Sequence, residues 1–287
     1  MNGLQRVLAS IQTKSLIKSG NTPIGQLKEV FDNSKAGVQC LLSNELFELR
    51  KEQMSKGLKY PKAAVIRAMD QSLLLTIEEA HYVYRDLQLK TGVIHCLEPN
   101  NIYKGFKTGK YSESLSMAYA SNLTDALTGE AIQQFNLQDY AIGAAQPNRL
   151  IHVPGVTIFR GEHFDFLQEP ITTDVIGIPA VNTANNEREW RAEKIWRGTD
   201  DIREMYYESL KDNLHAAFSL ALREGIDVVI IEGGLGGRYD VIDAKKVINI
   251  FSTILNQKIF KYGFKYVLFA VPGQEKEVNE GFASIRK

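Results

Sequence analysis

The order of apolar and polar positions along this chain switches repeatedly between two periods. Positions Leu4, Val7, Leu8, Ile11 and Leu16 recur at helical spacing and predict an amphipathic helix over 3–18, closed by Ser19-Gly20-Asn21-Thr22-Pro23. A second helical stripe, Leu27, Val30, Phe31, Val38, Leu41, Leu42, Leu46 and Leu49, predicts helix over 24–54 with an interruption at Gly37. After Pro61 the pattern changes. Residues 63–69 and 92–97 are short apolar runs that predict strands, and 72–87 between them reads as helix. A loop over 102–116 enters a helix over 117–134 that breaks at Gly129. Residues 149–160 are β-rich with an interruption at Pro154-Gly155, 161–170 is loop, and 173–181 is strand. A polar loop, 184–199, carries Trp190 and Trp196, whose size suits packing on a ligand or on the body of the fold. Helix follows over 200–224, strand over 228–231, helix over 243–261, strand over 266–271 and a polar tail over 274–287. This β-α-β alternation predicts an α/β fold of three layers.

Composition narrows the class. With 34 basic and 34 acidic residues the net charge is zero, which argues against a dedicated nucleic-acid binder. Cys40 and Cys96 are far apart and form no C-x-x-C, so neither a disulfide framework nor a zinc site is expected, in keeping with a reducing compartment. No apolar run approaches the roughly 18 residues of a membrane span. The first residues, Met-Asn-Gly-Leu-Gln-Arg, lack the pattern of a Sec-type leader. The expected organisation is a helical extension over 1–60 and a single large domain over 61–287.

The chemistry centres on Asp227-Val-Val-Ile-Ile-Glu-Gly-Gly-Leu-Gly-Gly-Arg-Tyr-Asp240. An apolar strand runs into four glycines, Gly233, Gly234, Gly236 and Gly237, and then into a helix. Such a loop lets backbone N–H groups crowd around a phosphate; it also serves as a plain tight turn. It is not a P-loop, since no Gly-Lys-Ser/Thr follows, and its spacing and late position fail the dinucleotide fingerprint. Residues 102–116 set three lysines beside Tyr103, Phe106 and Tyr111, which suits either a nucleotide or a solvated loop. None of the five histidines has metal-ligand spacing, and no G-x-S-x-G occurs.

Three motifs in order carry a resemblance. Ile151-His-Val-Pro-Gly-Val-Thr-Ile-Phe-Arg160, Asp174-Val-Ile-Gly-Ile-Pro-Ala-Val-Asn182 and Ile230-Ile-Glu-Gly-Gly-Leu-Gly-Gly-Arg-Tyr239 precede a last strand, Tyr266–Val271. This order resembles the microbial-type poly(ADP-ribose) glycohydrolases, which are macrodomain proteins. The resemblance implies a macrodomain-like mixed β-sheet between helices that binds ADP-ribose. It implies that Gly233, Gly234, Gly236 and Gly237, with Arg238 and Asp240, hold the diphosphate and distal region. By the same resemblance Tyr239 lies beside the ribose, and Asn100, Asn101 and Asn182 end ligand-contacting strands. The chain departs from the family where three glycines and a later Gln-Glu-Glu are expected. Here stand Lys104-Gly105-Phe106-Lys107-Thr108-Gly109 and then Tyr111-Ser112-Glu113-Ser114, and Arg238 replaces a third glycine.

The altered acids resemble those of divergent bacterial effector hydrolases that free ADP-ribose from arginine. That implies Glu113, Asp200 and Asp201 as catalytic carboxylates, an ADP-ribosylated protein as substrate, and no cofactor or metal. Each acid also has an ordinary reading, as a helix cap or a first-turn dipole partner. Glu275, Glu277 and Glu280 in the tail resemble a type IV secretion signal, which implies a cytoplasmic protein passed to a host cell; a solvated acidic tail is the plainer alternative. A reader that binds ADP-ribose without cleaving it fits the same motifs.

Overall fold

A computed structural model describes residues 3–97, 105–110, 112–135, 148–179, 200–233 and 244–282. Nine strands occur among them: β1 (Asn21–Thr22), β2 (Gly25–Gln26), β3 (Gln39–Leu42), β4 (Val65–Met69), β5 (Thr91–Leu97), β6 (Arg149–Arg160), β7 (Phe166–Pro179), β8 (Val228–Glu232) and β9 (Tyr266–Ala270). The helices, numbered in chain order, are α1 (Gly3–Ser19), α2 (Lys28–Ala36), α3 (Ser43–Met54), α4 (Leu73–Tyr84), α5 (Glu113–Ala120), α6 (Leu123–Ala126), α7 (Glu130–Phe135), α8 (Asp200–Arg223), α9 (Ala244–Leu255), α10 (Lys258–Lys261) and α11 (Glu275–Gly281).

Seven strands form one mixed sheet in the order β3-β6-β7-β5-β8-β9-β4. β7, β5, β8, β9 and β4 are mutually parallel, and β6 runs against both β7 and β3. Both faces are covered, which is why the parallel strands read as unbroken apolar runs rather than alternating ones. On one face Ile94, Cys96, Val229 and Ile231 meet Leu46 of α3, Leu214 and Phe218 of α8 and Phe251 of α9. On the other, Val93, Leu97, Val228 and Ile230 meet Leu74 and Ile77 of α4 and Leu115 and Met117 of α5. The three-layer α/β architecture is therefore the one the alternation predicted.

Several local expectations are corrected. Residues 24–54 are not one helix: Gln39–Leu42 pair antiparallel with Arg149–His152, so the stretch before Tyr60 contributes a strand to the sheet. Glu45 Oε2 accepts the Leu42 N–H at 2.9 Å and starts α3 immediately beyond that strand. β6 is continuous through Pro154-Gly155, where a register shift between Val153 and Val156 absorbs the proline as a bulge. β7 begins at Phe166, inside the expected loop. The expected helix over 117–134 is three short helices, the first starting at Glu113. The expected helix over 243–261 divides into α9 and α10. The tail is not wholly solvated: α11 buries Val278, Phe282 follows it into the core, and Asn279 Oδ1 accepts the Ala68 N–H at 3.2 Å.

The amino-terminal edge of the parallel strands is fastened by two carboxylates. Asp227 accepts from the Tyr60 hydroxyl, from Lys59 Nζ at 2.7 Å and from the Lys90 N–H at 2.9 Å. Asp174 takes Lys90 Nζ at 2.8 Å, the Gly155 N–H at 3.1 Å and His152 Nε2 at 3.1 Å. Burial pushes both carboxyls upward, but these donors outweigh it and hold each below its ordinary value.

Candidate functional site

The opposite, carboxyl-terminal edge is where the strands that precede the candidate residues end. β5 lies at the centre of the sheet, with β7 on one side and β8 on the other. The chain leaves β5 toward the β6–β7 side and returns across to β8, so a topological switch point falls here; in open α/β sheets ligands bind outside the carboxyl ends of strands at such a point. The registers bring the exits together. Leu97 pairs with Pro179, and Ile94 pairs with Ile231, one residue before Glu232. β5, β7 and β8, which precede Asn100-Asn101, Asn182 and the glycine loop in the chain, therefore all end at one edge.

α8 adds the aspartates to that edge. Its last residue, Arg223, precedes the start of β8, and Asp227 is tied to Lys90 beside the start of β5, so α8 ends at the amino-terminal edge. Its first residue thus lies at the other edge. At 1.5 Å per residue a helix of 24 residues spans about 36 Å, and a strand of 5 residues about 17 Å, so α8 overhangs the strand ends. A cross-link ties this overhang to the start of α9. Lys246 Nζ, in the first turn of the helix that follows the loop, bonds Glu204 Oε1 at 2.6 Å and stands 4.8 Å over the Tyr207 ring. Both partners lie within the first two turns after Asp200-Asp201.

Glu113 is placed differently. It opens α5, where Ser112 Oγ accepts the Leu115 N–H at 3.1 Å as an N-cap. Leu115 and Met117 through Ala120 pack on the sheet face bearing Val93 and Leu97, whereas α8 packs on the face bearing Ile94 and Cys96. α5, which Glu113 opens, and α8, which Asp200 opens, thus lie on opposite faces of the sheet. The side chains of Glu113, Asp200 and Asp201 lie outside the described residues, as do Asn100, Asn101, Asn182, Gly234, Gly236, Gly237, Arg238, Tyr239, Asp240 and both tryptophans.

Gly233, the first glycine of the loop, is described, and its role is steric. A methyl group there would collide with the Ala270 carbonyl oxygen and crowd Val271. β8 leaves the sheet so close to β9 that only hydrogen fits.

Beneath this edge lies a buried pair, His95 and Glu232. Alternation along β5 and β8 puts both side chains on the α4–α5 face, with Val93, Leu97, Val228 and Ile230. His95 is wholly buried and Glu232 nearly so. Glu232 Oε2 accepts the Cys96 N–H at 2.8 Å and lies 2.9 Å from His95 Nδ1. Although that contact is close, it does not meet hydrogen-bond geometry, and among the described residues neither ring nitrogen has a hydrogen-bond partner. Burial, then the Glu232 charge, drives the Cys96 thiol well above its ordinary value, so it is inert as a nucleophile. The signal in the sequence was a histidine and an acid of matching parity in two otherwise apolar strands. His95 also pairs with Gly177, where a methyl would strike Leu97 and Ile151.

Asp212, within α8, joins elements instead of facing a ligand: it accepts Arg50 Nη1 at 3.0 Å and Asn148 Nδ2 at 3.1 Å. Among the described residues no group of three or more His, Cys, Asp or Glu side chains is arranged to hold a metal, and both cysteines are free thiols. A cavity of about 620 Å³ lies away from the strand ends, along the outer edge of β3 between α3 and α7, lined by Cys40, Glu48, Glu52, Glu130 and Arg223 among others. Its position, remote from the strand ends, separates it from the candidate site.

With this geometry in hand, the fold can be placed. It is that of the poly(ADP-ribose) glycohydrolases of bacteria. The crystal structure of poly(ADP-ribose) glycohydrolase from Thermomonospora curvata superposes with a TM-score of 0.78 over 98% of each chain, at 18% sequence identity. The same enzyme bound to the inhibitor ADP-HPD gives 0.75 at 19% identity, over 98% of this chain and 99% of that one. Poly(ADP-ribose) glycohydrolase from Deinococcus radiodurans in complex with ADP-ribose gives 0.71 at 16% identity, over 89% of this chain and 98% of that one. No protein-family model and no curated protein sequence matches the chain.

Proposed function

We propose that this protein is a hydrolase that removes ADP-ribose from modified protein, with arginine as the linked residue. One observation carries the reading. The exits of β5, β7 and β8 and the overhanging start of α8 meet at one edge of a fold shared, over nearly the whole chain, with glycohydrolases that bind ADP-ribose or its analogue. In this reading the glycine loop and Arg238 take the diphosphate, Tyr239 and Asp240 the distal ribose, and Asn100, Asn101 and Asn182 the remaining polar edge. Asp200, Asp201 and Glu113 supply the carboxylates.

The chemistry follows from the bond. Cleavage at C1 of the distal ribose passes through an oxocarbenium-like state. A carboxylate activates water or orients the ribose hydroxyls; the C1–N bond breaks, the guanidino nitrogen takes a proton, and ADP-ribose leaves with hydroxyl at C1. A second carboxylate suits the guanidinium, which pairs bidentately with such groups. Water is the only co-substrate this requires. Delivery of the protein to a host cell is a further part of the proposal and rests on the acidic tail alone.

The replaced triple glycine and glutamate pair favour a second reading, a non-catalytic reader of ADP-ribose. Incubation with mono-ADP-ribosyl-arginine protein separates the two by the ADP-ribose released. Binding of free ADP-ribose in calorimetry with no release would leave the reader. Absence of both would remove the site altogether.

A further inference from the structure

Among the described residues nothing covers the outward face of α1. Its inward face is small or polar: Ala9, Ser10, Thr13 and Ile17 are buried, and Thr13 Oγ1 donates to the Tyr119 carbonyl at 2.8 Å. On the opposite side Leu4, Leu8 and Ile11 are 69%, 51% and 59% exposed. At about 100° per residue the three fall within roughly 60° of one another and form one stripe. Sequence periodicity marked these leucines as a helix face, and the structure turns that face outward.

The stripe stands in a cationic neighbourhood. α1 carries Arg6, Lys14 and Lys18 and no acid, and the turn over 105–110 adds Lys107 and Lys110 and no acid. The two segments are packed together: Arg6 Nε donates to the Gly109 carbonyl at 2.6 Å, and Lys14 Nζ lies 5.5 Å over the buried Phe106 ring. Lys14, Lys18, Lys107 and Lys110 are all exposed. On the helix, Lys18 and Lys14 both lie on one side of the stripe, at about 40° and 80° from Leu4. Burial first, and the charge of Lys107 second, lower the Lys14 amine.

We infer that this face docks on an anionic lipid surface, with Leu4, Leu8 and Ile11 entering the acyl boundary and the lysines lying among the headgroups. An aliphatic stripe bordered along one side by cations suits an anionic lipid surface. No helix among the described residues is long and apolar enough to cross a membrane, so the attachment is to the surface. The alternatives fit less well. A second copy would bring the same cations face to face. Nucleic-acid bases would find no exposed aromatic ring on these two segments, Phe106 being only 4% exposed. A rigid protein partner would need a cleft to seat its anchors, whereas a deformable lipid surface accepts a single ridge.

The full-length protein, sedimented with phosphatidylcholine vesicles with and without phosphatidylserine, tests this. Partition onto the mixed vesicles and little onto phosphatidylcholine alone is expected. Lys14→Gln and Lys18→Gln should each weaken it about fivefold. Leu4→Ser, Leu8→Ser and Ile11→Ser together should weaken it roughly 100-fold. Val83→Ser on α4, at another exposed apolar position, should leave it unchanged. If the triple variant melts early, the two lysine variants carry the test. The inference is overturned by no partition, by equal partition onto both vesicle types, or by lysine and leucine variants that bind like the parent. A dimer in light scattering that the triple variant dissolves would overturn it in favour of a second copy. Tighter retention on duplex RNA than on vesicles would overturn it in favour of nucleic acid.

Discussion

Glu232 Oε2 accepts the backbone N–H of Cys96 at 2.8 Å while lying 2.9 Å from the wholly buried His95 ring, so one carboxylate joins the ends of β8 and β5. The next residue is Gly233, where the glycine loop begins. Removing the carboxylate strands a buried N–H and a buried imidazole. Glu232→Ala should therefore cost about 3 kcal/mol in denaturant unfolding. Glu232→Gln keeps an acceptor for Cys96 and should recover at least half of that. If the pair also positions the loop, ADP-ribose affinity will fall in the same order. Equal stability of all three proteins would dismiss the clamp.

Gly233→Ala should lower stability by about 1–3 kcal/mol, because its methyl group meets the Ala270 carbonyl. Gly57→Ala is the comparison: nothing lies within contact of that position and its φ is not positive, so it should be neutral. Thermal melts of the two variants decide whether this glycine is steric or conformational.

Asp174 and Asp227 have lowered folded-state pKa values, so their contribution is fully present above the unfolded value, near 4. It is lost as pH falls through the folded values. Melting temperature should drop as pH falls below about 4, and Asp227→Asn should flatten that slope while lowering the plateau. His215 acts over a higher window. Burial lowers its imidazole, so protonation favours the unfolded chain as pH falls from about 6.5. A melting profile with no step below pH 4 would show that these carboxylates are not coupled to folding.

Asp200→Ala and Asp201→Ala, made separately, should leave ADP-ribose binding within a few-fold and reduce release from ADP-ribosyl-arginine protein by about 100-fold or more for the residue that acts on water. Glu113→Gln, on the other sheet face, should have the smaller effect. Turnover that survives both aspartate changes and falls with Glu113→Gln would reverse this assignment.

The hydrophobic pattern alone placed β4, β5, β8 and β9, the central helix α4 and the long α8, because strands buried on both faces are unbroken apolar runs and helices of many turns repeat their stripe. It missed Gln39–Leu42, four residues between two helix-forming stretches, whose strand state exists only through pairing with β6. It also missed α11, because a helix of 7 residues is set by burial of Val278 and by Asn279 meeting Ala68, not by propensity.

For the site, the glycine loop, Asn100-Asn101 and Asp200-Asp201 were legible as residue types at strand and helix ends. That the strands leading to them end at one edge of the sheet was not. The sequence by itself determined which short stretches are strands or helices, and where glycines and acids stand on them, since these follow from local periodicity and backbone sterics. Only the tertiary structure decided the strand order that brings three exits to one edge, the face on which Glu113 parts from Asp200, the pairing of His95 with Glu232 and the outward turn of the α1 leucines. Those depend on contacts between residues 50 to 200 positions apart, and an order of residues along a chain carries no register between distant strands.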